Sequence, residues 1–428
     1  MTTFICLAYF VVLTGIGIYF LSKSSGVITV PFNTTHKMRC TGLELLLIFI
    51  FSTGLIGLIP VLSLRLAVLE VLCIIGIIKG RGNISLSFPL IVFSLFLLWI
   101  LSGIIYTPNK LFGLRMFLKY LYPFLLAILA SIVVKNREIF LKAALNARWM
   151  ALFAIIITLI PNQGYIFQGV FWNAPAMATN FICMCMFSLG MAYASNKKIK
   201  NILWVVLFML PCILWVLRTD IFGLGLALSA FFFIKYKIRS LPLILVIGCI
   251  GLAVMFYIPS VKAKMYYRPN EVTVVDFLSG NIDENNINTS GRKKGWEDVQ
   301  RWFFDNHELM GSGTGRVQTY FYTEAIGWQR GGQLHNDFLV LLCDNGIIGF
   351  SLFIITYLSI LFHCLIIYHK SVSNIVKLCA ITAGSSLIGI LVTMYSDNTI
   401  SYSMATLGYP WGFYGMALGL MKGEYSDK

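Results

Sequence analysis

What most limits the folds open to this chain is the recurrence of apolar runs. Most are about 17–22 residues long, the length at which a helix crosses a hydrocarbon layer, and Ile202–Val216 and Ile221–Ile234 are somewhat shorter. Thirteen follow one another: Phe4–Leu21, Leu43–Ile59, Val61–Ile78, Phe88–Ile105, Phe117–Val134, Ala143–Ile160, Met177–Ala194, Ile202–Val216, Ile221–Ile234, Leu241–Ile258, Ile347–Tyr368, Leu378–Met394 and Ala405–Met421. In lipid a backbone has to satisfy its own N–H and C=O groups, so such runs become helices. The expected fold class is an all-α polytopic membrane protein with about 12–13 transmembrane helices. Twelve result if Pro60 marks a hairpin that does not cross fully. The first run has no basic region before it and no small-residue cleavage site, so it is expected to be retained. Of the 428 residues, 58% are hydrophobic and 12% charged, which excludes an ordinary soluble domain.

The net charge of +15 does not imply a nucleic-acid partner. Its Lys and Arg residues lie in short loops between apolar runs, where they set orientation among membrane lipids. Lys197, Lys198 and Lys200, then Lys235, Lys237 and Arg239, then Lys370 and Lys377 mark the cytoplasmic side. By alternation Lys79, Arg81, Lys135, Arg137 and Lys142 join them. Asn162–Ala176, the turn at Arg218–Asp220, the long segment after Ile258 and Tyr395–Met404 then face outward. One outer loop, Tyr106–Lys119, breaks the bias with Lys110, Arg115 and Lys119. Arg115 and Lys119, four apart, share a helix face and could hold an anionic head group. The ten cysteines show neither metal spacing nor a disulfide framework.

The chain divides into N-terminal transmembrane helices (1–258), one large outer loop with short helices (259–346) and C-terminal transmembrane helices (347–428). A loop that long usually carries function. Within it, Gly295–Phe304 has a helical pattern with Trp296, Val299 and Phe303 on one face, suited to the lipid–water boundary. Gly311-Ser-Gly-Thr-Gly315 follows, a turn whose N–H groups could meet phosphate, and Arg316 comes directly after it.

The loop ends at Gln333-Leu-His-Asn-Asp337, where His335 can move protons near neutral pH. His335 and Asn336 could equally cap the next helix. Gly346 and Gly349 let that helix start tightly. Arg218 sits at an outward turn between apolar runs, a costly place unless Asp220 pairs with it or an anion meets it. Arg292 opens the triplet Arg292-Lys-Lys294 ahead of the amphipathic segment. Asp397, Asn398 and Tyr402 form a polar island between the last two spans.

With these pieces in order, the chain resembles the O-antigen ligase and O-antigen polymerase superfamily of bacterial inner-membrane proteins. The matching patterns are His335-Asn336 running into Gly346 and Gly349, Arg218-Thr219 opening a helix, and Gly291-Arg292 before an aromatic helix and a Gly-x-Gly turn. The ending Ser396-Asp-Asn-Thr-Ile-Ser-Tyr402, with Trp411 and Gly415, is similar to polysaccharide polymerases of the group. The likeness runs from Trp215 to Leu420; Leu217 departs from it, standing where the family often has a polar residue.

The resemblance implies a C-type glycosyltransferase architecture, multi-pass in the inner membrane, with its active site facing the periplasm. The donor would be a glycan on undecaprenyl pyrophosphate, and the acceptor another glycan or lipid-linked glycan. A chain-length regulator is a further conceivable partner. Arg218 and Arg292 would hold the pyrophosphate, and His335 would act as general base. Arg115, Lys119, Asn336, Arg316 and Asp397 would bind substrate. No Asp-x-Asp or comparable carboxylate cluster lies on the outer side, so neither metal nor cofactor is expected. The Ser396-Asp-Asn ending and the chain length favour a polymerase over a ligase. A transporter or flippase fits less well, because the unusual charges gather at outer helix ends rather than at mid-membrane.

Overall fold

Each of the thirteen apolar runs overlaps a helix in the computed structural model, which describes residues 2–31, 35–54, 62–80, 84, 86–160, 174–214, 216–283, 286–289, 291–325 and 332–426. Pro60, Arg81 and residues 162–173 of the outer loop lie outside these described residues. The first half runs α1 (Thr2–Ser22), β1 (Ser25–Pro31), β2 (Thr35–Thr41), α2 (Gly42–Thr53), α3 (Leu62–Gly80), α4 (Phe88–Tyr106), α5 (Lys110–Val133), α6 (Arg137–Leu159), α7 (Ala174–Ala194) and α8 (Lys198–Leu214). Next come α9 (Arg218–Tyr236) and α10 (Leu241–Tyr257), joined by a 3-10 turn at Lys237–Ser240. Four short helices follow: α11 (Pro259–Met265), α12 (Val274–Ser279), α13 (Arg292–Phe303) and α14 (Arg316–Thr319). The chain closes with α15 (Asp337–Lys370), α16 (Asn374–Thr393) and α17 (Gly408–Ser426).

The protein is thus an all-α polytopic membrane protein. Among the described residues, six helical segments are long and apolar enough by themselves to cross a membrane: Phe88–Tyr106, Lys110–Val133, Arg137–Ile157, Arg218–Tyr257, Asp337–Lys370 and Asn374–Thr393. The fourth of these contains both α9 and α10.

The antiparallel hairpin β1–β2, with Ser25 opposite Thr41 and Pro31 opposite Thr35, has no counterpart among the expected elements. Its signal is the short β-branched run Val27-Ile-Thr-Val30, whose alternate members Ile28 and Val30 are buried. Lys79 Nζ donates to the carbonyl of Leu21 at 2.7 Å, so α1 and α3 end on the same face of the bundle. α2 starts on that face and ends where Gly54 meets Met404, in the loop between α16 and α17.

Close helix packing sets the frame for the outer loop. Gly223 of α9 and Gly389 of α16 cross so tightly that a Cβ on either would stand 2.7 Å from the other's carbonyl oxygen. Small residues permit such backbone contact between membrane helices. A buried aromatic stack runs beside it, with Phe93 and Trp411 rings 4.5 Å apart and Phe353 and Tyr357 rings 4.3 Å apart.

α15 is broken at Gly346, at φ 64° and ψ −173°, so its first two turns form a separate piece. Trp99 of α4 donates its indole N–H to the carbonyl of Asn345 at 2.9 Å, next to this break. Trp99→Phe keeps the packing and removes that bond. It is expected to lower stability by about 1 kcal/mol while leaving activity largely intact, as a thermal-shift measurement on the purified protein would show.

Candidate functional site

The site is built on the loop between α16 and α17, above all on Ser396, Asp397 and Asn398. The loop is held from below. Asp337 donates its backbone N–H to the carbonyl of Met394 at 2.8 Å and accepts the N–H of Ile400 on Oδ2 at 2.9 Å. Thr406 donates Oγ1–H to the carbonyl of Thr399 at 2.8 Å. The first turn of α15 and the 3-10 turn Thr399–Tyr402 are thereby stapled together.

His335 meets this loop through backbone and ring. Its N–H donates to Asn398 Oδ1 at 3.1 Å. Its Nδ1 lies 3.4 Å from Asp397 Oδ1 and 2.9 Å from Asn398 Nδ2. The Asn398 amide also donates to Gln333 Oε1 at 2.6 Å, which fixes its orientation. The imidazole remains 37% exposed, enough to meet a substrate. His335 has φ 52°, a left-handed conformation that few non-glycine residues adopt and that costs roughly 1–3 kcal/mol. Val216, two residues before Arg218, has φ 50°.

Arg292, the first residue of α13, donates Nη1–H to the carbonyl of Ser396 at 2.6 Å. Burial pulls its guanidinium below the usual arginine range, and neighbouring Asp397 opposes that shift. Arg218, at the start of α9, donates from Nη1 to the carbonyls of Lys264 and Asn288, each at 2.6 Å. It thereby ties the outer loop to the bundle. Thr219 Oγ1 lies 2.5 Å from Ser396 Oγ. Asp220, considered as a partner for Arg218, is buried and accepts the hydroxyl of Thr179 at 2.7 Å. The Arg218 and Arg292 guanidiniums are near enough to repel one another, and an anion between them would relieve that. Three consecutive residues, Ser396–Asn398, thus contact Thr219 beside Arg218, Arg292 itself and His335.

Arg115 and Lys119 reach the same loop at its other end. Lys119 Nζ is 3.4 Å from Ser401 Oγ and 3.9 Å from Met116 Sδ. Arg115 is exposed, its guanidinium 5.4 Å from the Phe112 ring centre. Together with Ser401 and Ser403 they line one cleft. A second cleft of about 40 Å³, lined by Met116, Tyr322, Gln333, Asp337, Asn398 and Ser401, lies between them and the histidine.

Other expectations change on contact with the structure. Arg316 spends its fork on Glu324, at 2.5 and 2.9 Å, and lies over the Phe303 ring, so it braces the loop rather than waiting for a ligand. Asn336 is buried and caps α15, accepting the N–H of Leu339 at 3.0 Å. In the turn Gly311–Gly315 the amides of Gly311, Ser312, Gly313 and Gly315 are occupied, the first two by the carbonyls of His307 and Cys343. Asp344 accepts the N–H groups of Gly315 and Val317 at 2.8 and 2.9 Å, and its carbonyl accepts that of Gly313. These donors are not offered to phosphate. The apolar face of α13 is covered by protein rather than lipid: Val299 and Phe303 pack with Val317, Phe321 and Cys343, and Trp296 donates to the carbonyl of Leu334.

Asn398 and Ser396, part of the polar ending at 396–402, and Gln333 and Asp337, at the two ends of the His335 stretch, gain specific contacts that the sequence does not assign to them.

Residues 203–354 match the family model Wzy_C, described as O-Antigen ligase. The match extends from α8 into α15 and takes in Arg218, Arg292 and His335. No curated protein matches the chain.

Proposed function

We propose that this chain, which belongs to the O-antigen ligase/polymerase superfamily, is a membrane glycosyltransferase. It joins undecaprenyl-pyrophosphate-linked repeat units into polysaccharide on the periplasmic face. The observation that carries this proposal is the convergence of His335, Arg292 and the Arg218–Thr219 turn on Ser396–Asn398.

In the transfer step the bond between the sugar's anomeric carbon and the pyrophosphate oxygen breaks. Undecaprenyl pyrophosphate leaves with the electron pair. An acceptor hydroxyl oxygen forms the new bond to that carbon, and its proton passes to His335. Arg292 and Arg218 stabilise the charge growing on the leaving pyrophosphate, where fixed donors are most effective. In the tautomer with the proton on Nδ1, donated toward Asp397 Oδ1, Nε2 is free to take the proton, and Asp397 then faces the imidazolium that results. The amide of Asn398 lies 2.9 Å from the same Nδ1.

Arg292→Lys keeps the charge and loses the planar fork. Removing one donor to a developing anion costs about 10²–10³-fold in turnover, and the Lys variant is expected to fall near the lower end of that range. The check is release of polyprenyl pyrophosphate from a purified lipid-linked substrate.

A second proposal, ligation of the finished glycan to a lipid A-core acceptor, has in its favour that the matching family is that of O-antigen ligases. A deletion strain separates the two. Loss of all chains longer than one repeat indicates a polymerase; long chains stranded on the carrier lipid indicate a ligase.

A further inference from the structure

The loop that carries the histidine's partners touches cations at both ends, and the catalytic chemistry described above uses those at one end only. At Ser396 stands Arg292, with Arg218 behind Thr219. At Ser401 stands Lys119, with Arg115 one helical turn away on α5. His335, Asp397 and Asn398 lie between the two. Ser396 and Ser401 are five residues apart, at most about 17 Å along an extended backbone, and the 3-10 turn Thr399–Tyr402 shortens this.

The α5 pair is poorly satisfied as it stands. Among the described residues neither Arg115 nor Lys119 has a carboxylate within 4.0 Å. Lys119 is half-buried with only a long contact to a hydroxyl and a contact to sulfur. Asp337 reaches it only through its longer-range field. An ammonium kept from water at the edge of a membrane helix costs several kcal/mol unless an anion answers it. Arg115, exposed at the same cleft, adds a second charge and a fork that suits phosphate oxygens.

We infer that Arg115 and Lys119, with Ser401 and Ser403, form a second pyrophosphate site, which holds the lipid-linked acceptor while Arg218 and Arg292 hold the donor. This rests on the glycosyltransferase proposal for its assignment of donor and acceptor. Two pyrophosphates of like charge are thereby kept on opposite sides of the imidazole. The acceptor's terminal sugar can then reach the histidine from the side away from the leaving group. The acceptor class is a polyprenyl pyrophosphate carrying a glycan, not a free sugar.

The test uses the full chain in phosphatidylethanolamine nanodiscs and a non-cleavable probe, a polyprenyl methylene-bisphosphonate carrying one repeat unit. Wild type is expected to bind two probe molecules per chain. Arg115→Gln and Lys119→Gln, singly or together, should reduce this to one, as should Arg292→Gln, and combining both ends should abolish binding. With a cleavable donor whose accepting hydroxyl is capped, the α5 variants should raise the KM for the probe as acceptor by about tenfold and leave the donor KM unchanged. A single bound probe in wild type, two in the α5 variants, or a raised donor KM would each overturn the second site. So would equal displacement by phosphatidylglycerol, which would make the cleft a general lipid-headgroup site. If two probes bind and wild type transfers nothing, the second site stands and the glycosyltransferase proposal fails.

Discussion

His335→Asn is expected to lower glycan transfer by roughly 10²–10⁴-fold, the span over which a positioned general base acts. Asparagine is the informative substitution because it accepts the left-handed backbone that His335 occupies at φ 52°. The strand of contacts from the backbone N–H to Asn398 therefore survives, and only the proton acceptor is lost. His335→Ala would mix the chemical loss with backbone strain. Asp397→Asn should also be impaired, since the amide cannot stabilise an imidazolium and can turn its N–H₂ toward Nδ1. If the two groups work as a unit, the double variant will be little worse than His335→Asn alone. Turnover of a purified lipid-linked substrate, with binding of the non-cleavable probe retained, is the decisive pair of measurements. Near-normal transfer by His335→Asn would remove the base from the mechanism.

The membrane architecture was legible because lipid leaves a polar backbone no alternative to the helix, and each apolar run carries that constraint within itself. Gly346 reads in the sequence as a tight helix start, and the structure puts there a break inside α15, since a glycine admits a conformation that a side chain forbids. Arg218, Arg292 and His335 stood out one at a time as charges or an imidazole at helix ends. That Arg292, His335 and Thr219, the neighbour of Arg218, meet on Ser396–Asn398 did not, because it depends on a fold that joins residues 104 positions apart at Arg292 and Ser396, and 177 apart at Thr219 and Ser396. Asp344 gives the opposite lesson. The turn at Gly311–Gly315 has the form of an anion nest, and the anion it receives is a carboxylate from the same chain. Arg316, directly after the turn, likewise finds its acid in Glu324, eight residues on. Spacing can mark a residue as available for an anion; only the fold shows whether the protein has already supplied one.

Gly346→Ala is expected to be the most damaging single-methyl change in the loop. The backbone there, at φ 64° and ψ −173°, lies in a region essentially reserved for glycine, and forcing another residue into it costs about 1–3 kcal/mol before any contact is counted. The added Cβ would then stand 2.3 Å from the carbonyl oxygen of Leu309 and 2.6 Å from the backbone nitrogen of Gly311. Neither atom belongs to a flexible side chain. Leu309 and Glu308 accept the N–H groups of Ile348 and Ile347, so moving that segment would uncap the second piece of α15. Relief by rotating the first piece would drag Asp344 from Gly315 and Val317, and Asp337 from Ile400. The total is expected to exceed about 4 kcal/mol, beyond what most single substitutions cost. Little folded protein should be recovered from the membrane, and what is recovered should melt well below wild type. Gly349→Ala, whose Cβ would press on the edge of Trp99 and the Cβ of Asn345, keeps a helical backbone and should be milder. An unaltered melting temperature for Gly346→Ala would mean that the two pieces of α15 can join into one continuous helix, and that the break is not what places His335 beside Asp397.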